Sequence, residues 1–212
     1  MNAKMGALDG DRICDDQVIR FVLDKARHVR GVYDMRCAIV VTGLPASGKT
    51  TVARDIASAL GFEFLDKDDF LERLYESHGV SSWDDRKRLS RLSDDLLQQR
   101  AKLTQSVVLV SHWRPRTGTD ESGTPTDWLT AEFEQIVEVY CECSAEIATL
   151  RFLERRRHTG HMDQQRDRVT LTESMKTLHR SYPLGLGALV KICSEHKIDL
   201  AELISRIRQE IT

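Results

Sequence analysis

The chain has 212 residues, 41% hydrophobic and 30% charged, which suits one α/β domain of ordinary globular composition with room for a side element. A net charge of −2 excludes a global electrostatic pull toward nucleic acid or an anionic membrane. No apolar run reaches the ~20 residues of a membrane span, and the Met1-Asn2-Ala3-Lys4 start lacks the apolar core of a signal peptide, so a cytoplasmic protein is expected.

Residues 1–12 read as a loose terminus. Asp15 and Asp16 then suit the start of a helix whose apolar face is Val18, Ile19, Phe21, Val22, Leu23, Ala26 and Val29, stopped at Gly31. This helix precedes everything that carries chemistry, so residues 1–34 are expected to be an extension and 35–212 the main domain.

Cys37 to Thr42 is a β-branched apolar run that leads into Gly43-Leu44-Pro45-Ala46-Ser47-Gly48-Lys49-Thr50. Strand, glycine-rich loop and helix in that order form a P-loop, the Walker A pattern. Small residues at Gly43, Pro45, Ala46, Ser47 and Gly48 let successive backbone N–H groups turn inward as an anion nest. The helix opening near Gly48 aims its positive end at the same phosphates, with Thr51 in its first turn. Lys49 is then placed to reach the β- and γ-phosphates of ATP and the Thr50 hydroxyl to ligate Mg²⁺. Val52, Ile56 and Leu60 supply the helix with one buried stripe.

Phe62 to Leu65 reads as a second strand, followed by Asp66-Lys67-Asp68-Asp69 and a helix from Asp69 to Ser77. Carboxylates at that point can orient an attacking hydroxyl, take its proton and complete a Mg²⁺ shell. They can equally cap the helix, with Asp69 as the cap. A long helix follows from Trp83 to about Thr104, and Arg86, Lys87, Arg88 and Arg91 stripe it with positive charge, read as a solvated face or, if turned to the site, as favouring an anionic acceptor. Ser106 to Ser111 is a third strand. The loop from His112 to Thr126 holds Trp113, Arg114 and Arg116, either lining an acceptor pocket or packed beneath the loop.

Trp128 to Phe133 reads as a short helix and 136–142 as a fourth strand. Five scattered cysteines, at 14, 37, 141, 143 and 193, form no disulfide framework. Cys141 and Cys143, two apart, are expected on one strand face as small hydrophobes. Ser144 caps the next helix, which runs into four arginines between Arg151 and Arg157. At helical spacing Arg151 and Arg155 share a face. His158 and His161 lack a third ligand, and no metal is expected there. A helix from Gln165 to His179, a fifth strand at Leu189–Cys193 and a closing helix from Ile198 to Ile211 complete an alternation that implies a parallel sheet wrapped on both faces.

The P-loop together with Gly61-Phe62-Glu63-Phe64-Leu65-Asp66-Lys67-Asp68 resembles the small P-loop kinases: shikimate kinase, gluconate kinase, chloramphenicol phosphotransferase and the kinase half of polynucleotide kinase. Asp66 and Asp68 match the Asp-x-Asp after strand two of shikimate kinase. Lys67-Asp68-Asp69-Phe70 is similar to the Arg-Asp-Asp-Tyr of polynucleotide kinase. Both resemblances imply Asp68 as the base on the acceptor hydroxyl, and the first implies Asp66 near Mg²⁺. The arginine run sits where this family carries a LID, about 155–164. By that resemblance Arg151 and Arg155, then Arg157, close on phosphate, and Ser194-Glu195-His196-Lys197 touches adenine.

The resemblance implies a five-stranded sheet ordered 2-3-1-4-5 and transfer of the γ-phosphoryl of MgATP to a small-molecule hydroxyl. The alternatives are a polynucleotide or nucleotide kinase and a non-catalytic nucleotide switch. Ser111-His112 after strand three lacks the acidic residue of GTPases and large AAA+ machines, which fits the shikimate-type pattern.

Overall fold

A computed structural model of the chain describes residues 35–115, 122–163 and 167–211. The expected helix at 15–29 and Arg116 lie outside them. Five parallel strands run β1 Cys37–Thr42, β2 Glu63–Asp66, β3 Ser106–Val110, β4 Gln135–Glu142 and β5 Ala188–Cys193. Their order across the sheet is β2-β3-β1-β4-β5, as expected. The helices are α1 Lys49–Leu60, α2 Lys67–His78, α3 Trp83–Lys102, α4 Leu129–Glu132, α5 Ala145–Glu154, α6 Arg168–His179 and α7 Leu200–Glu210.

Two cores sandwich the sheet. On one face Ile39, Val41, Val108, Val139 and Ile192 pack against Val52 and Ile56 of α1 and Leu203, Ile204 and Ile207 of α7. On the other, Ala38, Val40, Leu109 and Tyr140 meet Leu74 of α2, Leu89 and Leu97 of α3, Phe152 of α5 and Met175 of α6. Burial on both sides explains the near-continuous apolar strands. Cys141 and Cys143 are both buried, but they join opposite cores, because β4 ends at Glu142 and the two-residue alternation ends with it.

Helix α2 starts two residues earlier than expected. Its N-cap is Asp66, whose carboxylate accepts from the Asp68 N–H at 3.0 Å, and not Asp69, which is exposed in the first turn. Helix α5 ends at Glu154, and Arg155 leaves it in extended conformation. The expected shared helical face of Arg151 and Arg155 is therefore broken. Trp113 is fully buried and its indole N–H donates to Val41 O at 3.0 Å, so it packs beneath its loop. No described helix is long and apolar enough to cross a membrane.

Candidate active site

The β1–α1 loop is built for close approach. Gly43 has φ of 133°, and a Cβ there would lie 2.5 Å from Cys141 O. Ala46 holds φ of 62°, a conformation costly for a residue with a side chain and one that clusters at ligand sites. Gly48, at φ of 89°, opens α1 without a side-chain cap, which leaves the first N–H groups of the helix without a side-chain acceptor. Ser47 is fully buried and its hydroxyl has no partner. Lys49 Nζ folds back onto two loop carbonyls, Gly43 O at 3.0 Å and Leu44 O at 2.7 Å. An orphan hydroxyl, free helix N–H groups and a lysine resting on carbonyls fit a polyphosphate.

Burial pushes the Lys49 ammonium down to about 8, with Asp66 and Asp68 pulling the other way. Phosphate contacts favour the charged form, so bound nucleotide raises this value. Above about pH 8 the free protein therefore holds Lys49 largely neutral, and binding must take up a proton. An ATP analogue is expected to bind more weakly as pH rises through that range. Calorimetry at alkaline pH in buffers of different ionisation enthalpy should show the uptake; a buffer-independent enthalpy would contradict it.

Asp66 faces Thr50, whose Oγ1 donates to Asp66 Oδ2 at 2.8 Å. Burial and then the neighbouring Asp68 charge push the Asp66 carboxyl up to about 6. This hydroxyl–carboxylate pair, which joins the P-loop to the end of β2, fits the oxygen ligands that Mg²⁺ takes. Asp68 is on the same rim. Its carboxylate pairs with Arg157, which also reaches Asp163 at 3.4 Å. Partial burial would raise the Asp68 carboxyl, but Arg157, His161 and Arg155 together hold it below the usual range. Arg155 pairs with Asp163 at 3.4 Å and lies over the Phe152 ring at 4.2 Å. Arg151 is separate, donating to Ser194 O at 3.0 Å and Glu195 O at 3.5 Å beside the turn after β5.

Several site residues were not evident from sequence. His158 stacks on Tyr75 at 5.4 Å, and His161 meets the same ring edge-on at 5.3 Å. His161 Nε2 lies 2.9 Å from Glu72 Oε1, and its backbone carbonyl accepts from Arg86 at 3.2 Å. Arg86 thus turns inward, whereas Lys87, Arg88 and Arg91 are exposed. Residues 158–161 are therefore fastened to α2 and α3, so the arginine segment 155–157 spans from α5 to an anchor. A Cβ on Gly160 would sit 2.5 Å from the Tyr75 ring. Gly160→Ala is expected to cost about 1–3 kcal/mol by overpacking. Chemical denaturation checks this, and an unchanged midpoint would mean the anchor is loose.

A buried polar chain backs the rim. Lys67, between the two key aspartates, pairs with Asp94 of α3 at 2.7 Å and bonds Ser90 at 3.1 Å. Asp94 accepts from Thr124 at 2.6 Å, and Thr124 bonds Ser111 at the end of β3. The strand-three position that lacks a carboxylate in sequence is thus tied, through Thr124, to one from α3. No sequence signal marks Asp94, because one acidic residue in a charged helix reads as solvated.

Sheet order, P-loop and carboxylate rim together define a nucleotide-binding protein of the P-loop kinase type. Residues 39–179 match the family described as AAA domain, and the chain belongs to that family. Among solved structures, a candidate kinase from Chloroflexus aurantiacus is similar at 26% identity and a TM-score of 0.71, over 84% of this chain and 100% of that one. A shikimate kinase from Bacteroides thetaiotaomicron shares the fold at 15% identity and a TM-score of 0.53, over 82% of this chain and 97% of its own. No curated protein matches the chain.

Proposed function

We propose that the protein transfers the γ-phosphoryl group of MgATP to a hydroxyl of a small molecule. One observation carries this reading. Thr50 of the P-loop is hydrogen-bonded at 2.8 Å to Asp66, and the Asp66 carboxylate in turn fixes the backbone N–H of Asp68. The proposed metal pair and the proposed base are therefore built as one unit. A pure nucleotide switch has no need of a second carboxylate placed this way.

Mg²⁺, when bound, would offset phosphate charge and align the reacting oxygens. Thr50 and Asp66 would hold it. The backbone N–H groups of Gly48 to Thr51 and of the loop residues other than Pro45, with the Ser47 hydroxyl, would cradle the phosphates. Lys49 would leave its two carbonyls for the β- and γ-phosphate oxygens. Asp68 would orient the acceptor hydroxyl and accept its proton. It must first be released by Arg157, and an arriving γ-phosphate competes for that guanidinium. Arg155 and Arg157 would then neutralise charge as it spreads over the transferring group. Arg151, fixed at the turn after β5, is proposed to shape the adenine side together with residues 194–197. We also infer a main domain from 35 to 212, with its LID near 155–164.

The test is transfer of labelled γ-phosphate from MgATP across a panel of sugars, shikimate-like acids, antibiotics, nucleosides and oligonucleotide ends. A small-molecule acceptor supports the reading, and phosphorylation of oligonucleotide ends alone replaces it with polynucleotide kinase. Lys49→Ala should lower transfer by orders of magnitude, since it removes a charge-assisted phosphate contact. Wild-type turnover in that variant would overturn the site assignment.

A further inference from the structure

Among the described residues, one group of three His, Cys, Asp or Glu side chains brings its ligand atoms together: Cys193, Glu195 and His196, all within 4.8 Å of one another. The group spans the last residue of β5 and the turn that follows it, apart from the Thr50–Asp66 pair. We propose that Cys193, Glu195 and His196 form a binding site for a borderline-soft divalent cation, Zn²⁺ or Co²⁺, with solvent as the fourth ligand.

The chemistry of the donors favours such an ion over Mg²⁺, because thiolate and imidazole suit zinc while Mg²⁺ demands oxygen ligands. Zinc–ligand bonds of 2.0–2.3 Å put two tetrahedral ligand atoms roughly 3.5 Å apart. Drawing atoms from within 4.8 Å to that spacing takes a movement of about 1 Å, which side-chain rotation supplies. Thiolate and carboxylate together would balance the charge of a divalent ion.

The backbone that presents the three is firmly held. The Ser194 N–H and hydroxyl both donate to Glu142 O at 2.9 Å. Arg151 holds the Ser194 and Glu195 carbonyls, so its charge is engaged with backbone oxygens. The Ser144 N–H donates to Glu195 Oε1 at 2.6 Å, which orients the carboxylate and leaves Oε2 for a metal. Cys193 is exposed, whereas Cys37, Cys141 and Cys143 are buried, so among the described residues Cys193 is the cysteine open to solvent.

The site does not depend on the kinase reading, and the experiment keeps the two apart. Untagged, nucleotide-free and Mg²⁺-free protein is titrated with Co²⁺. The expected result is one Co²⁺ per chain, with a thiolate-to-cobalt charge-transfer band in the near ultraviolet and intense tetrahedral visible bands, reversed by Zn²⁺. Cys193→Ser should abolish the charge-transfer band. Glu195→Gln and His196→Ala should each weaken Co²⁺ binding tenfold or more. Lys49→Ala and Cys14→Ser should leave the titration unchanged. Absence of the band in the wild type, its persistence in Cys193→Ser, or its loss in Cys14→Ser would overturn the proposal.

Discussion

Asp68→Asn is expected to lower phosphoryl transfer by roughly 10²–10⁴-fold while the affinity for MgATP stays within several-fold. Asn keeps the shape of the side chain and its place in the first turn of α2. It removes the basicity that a general base needs. The Thr50–Asp66 contact and the Asp66 cap on the residue-68 N–H remain, so the proposed metal pair is preserved. Loss of the Arg157 ion pair should cost little stability, because Asp68 is 45% exposed and Arg157 keeps Asp163. Single-turnover transfer to an acceptor found in the panel, measured beside nucleotide binding, separates these effects. Asp69→Asn is the matched control. Asp69 is exposed and does not cap α2, so this variant should be near neutral. Loss of transfer in Asp69→Asn with activity retained in Asp68→Asn would move the base by one residue.

The parts of this site that were legible in the sequence are those whose geometry is set by neighbours in the chain. The P-loop is one: Gly43, Gly48, Lys49 and Thr50 take their positions from the strand before and the helix after, and the structure has both. The Asp66–Asp68 spacing is another, because a strand end followed at once by a helix fixes it. Illegible features depend on where an element stops or on what crosses from a distant one. A late placement of the start of α2 moved the expected cap three residues on, from Asp66 to Asp69. The end of α5 at Glu154 took Arg155 off the helix toward Asp163 while Arg151, still helical, reaches Ser194, a divergence that helical spacing could not foresee. Tyr75, Glu72 and Arg86 read as ordinary helix residues. They acquire a role only because residues 158–161 return to pack on them.

Glu138→Ala is expected to destabilise the fold by at least about 3 kcal/mol, the largest stability effect we predict. Glu138 sits in the middle of β4 and is wholly buried. Helices cover both faces of the sheet, so the carboxylate has no access to solvent. Its carboxylate is satisfied instead by four donors. Thr42 Oγ1 bonds Oε1 at 2.7 Å, and the N–H groups of Leu184, Gly185 and Leu186 donate at 2.8, 2.8 and 3.2 Å. One side chain thereby pins the end of β1 to the connection that leads from α6 into β5. Truncation would leave buried N–H groups without acceptors, each costing roughly 1–3 kcal/mol, and would open a cavity beside the stacked Tyr140 and Tyr182 rings. Glu138→Gln tests the hydrogen-bond argument apart from volume. Its carboxamide keeps the size but turns an NH₂ toward donors, so it too should be strongly destabilised. Urea unfolding of both variants decides the matter. If Glu138→Gln kept the wild-type midpoint while Glu138→Ala lost stability, the residue would be filling space, and the anchoring of residues 184–186 would need another source.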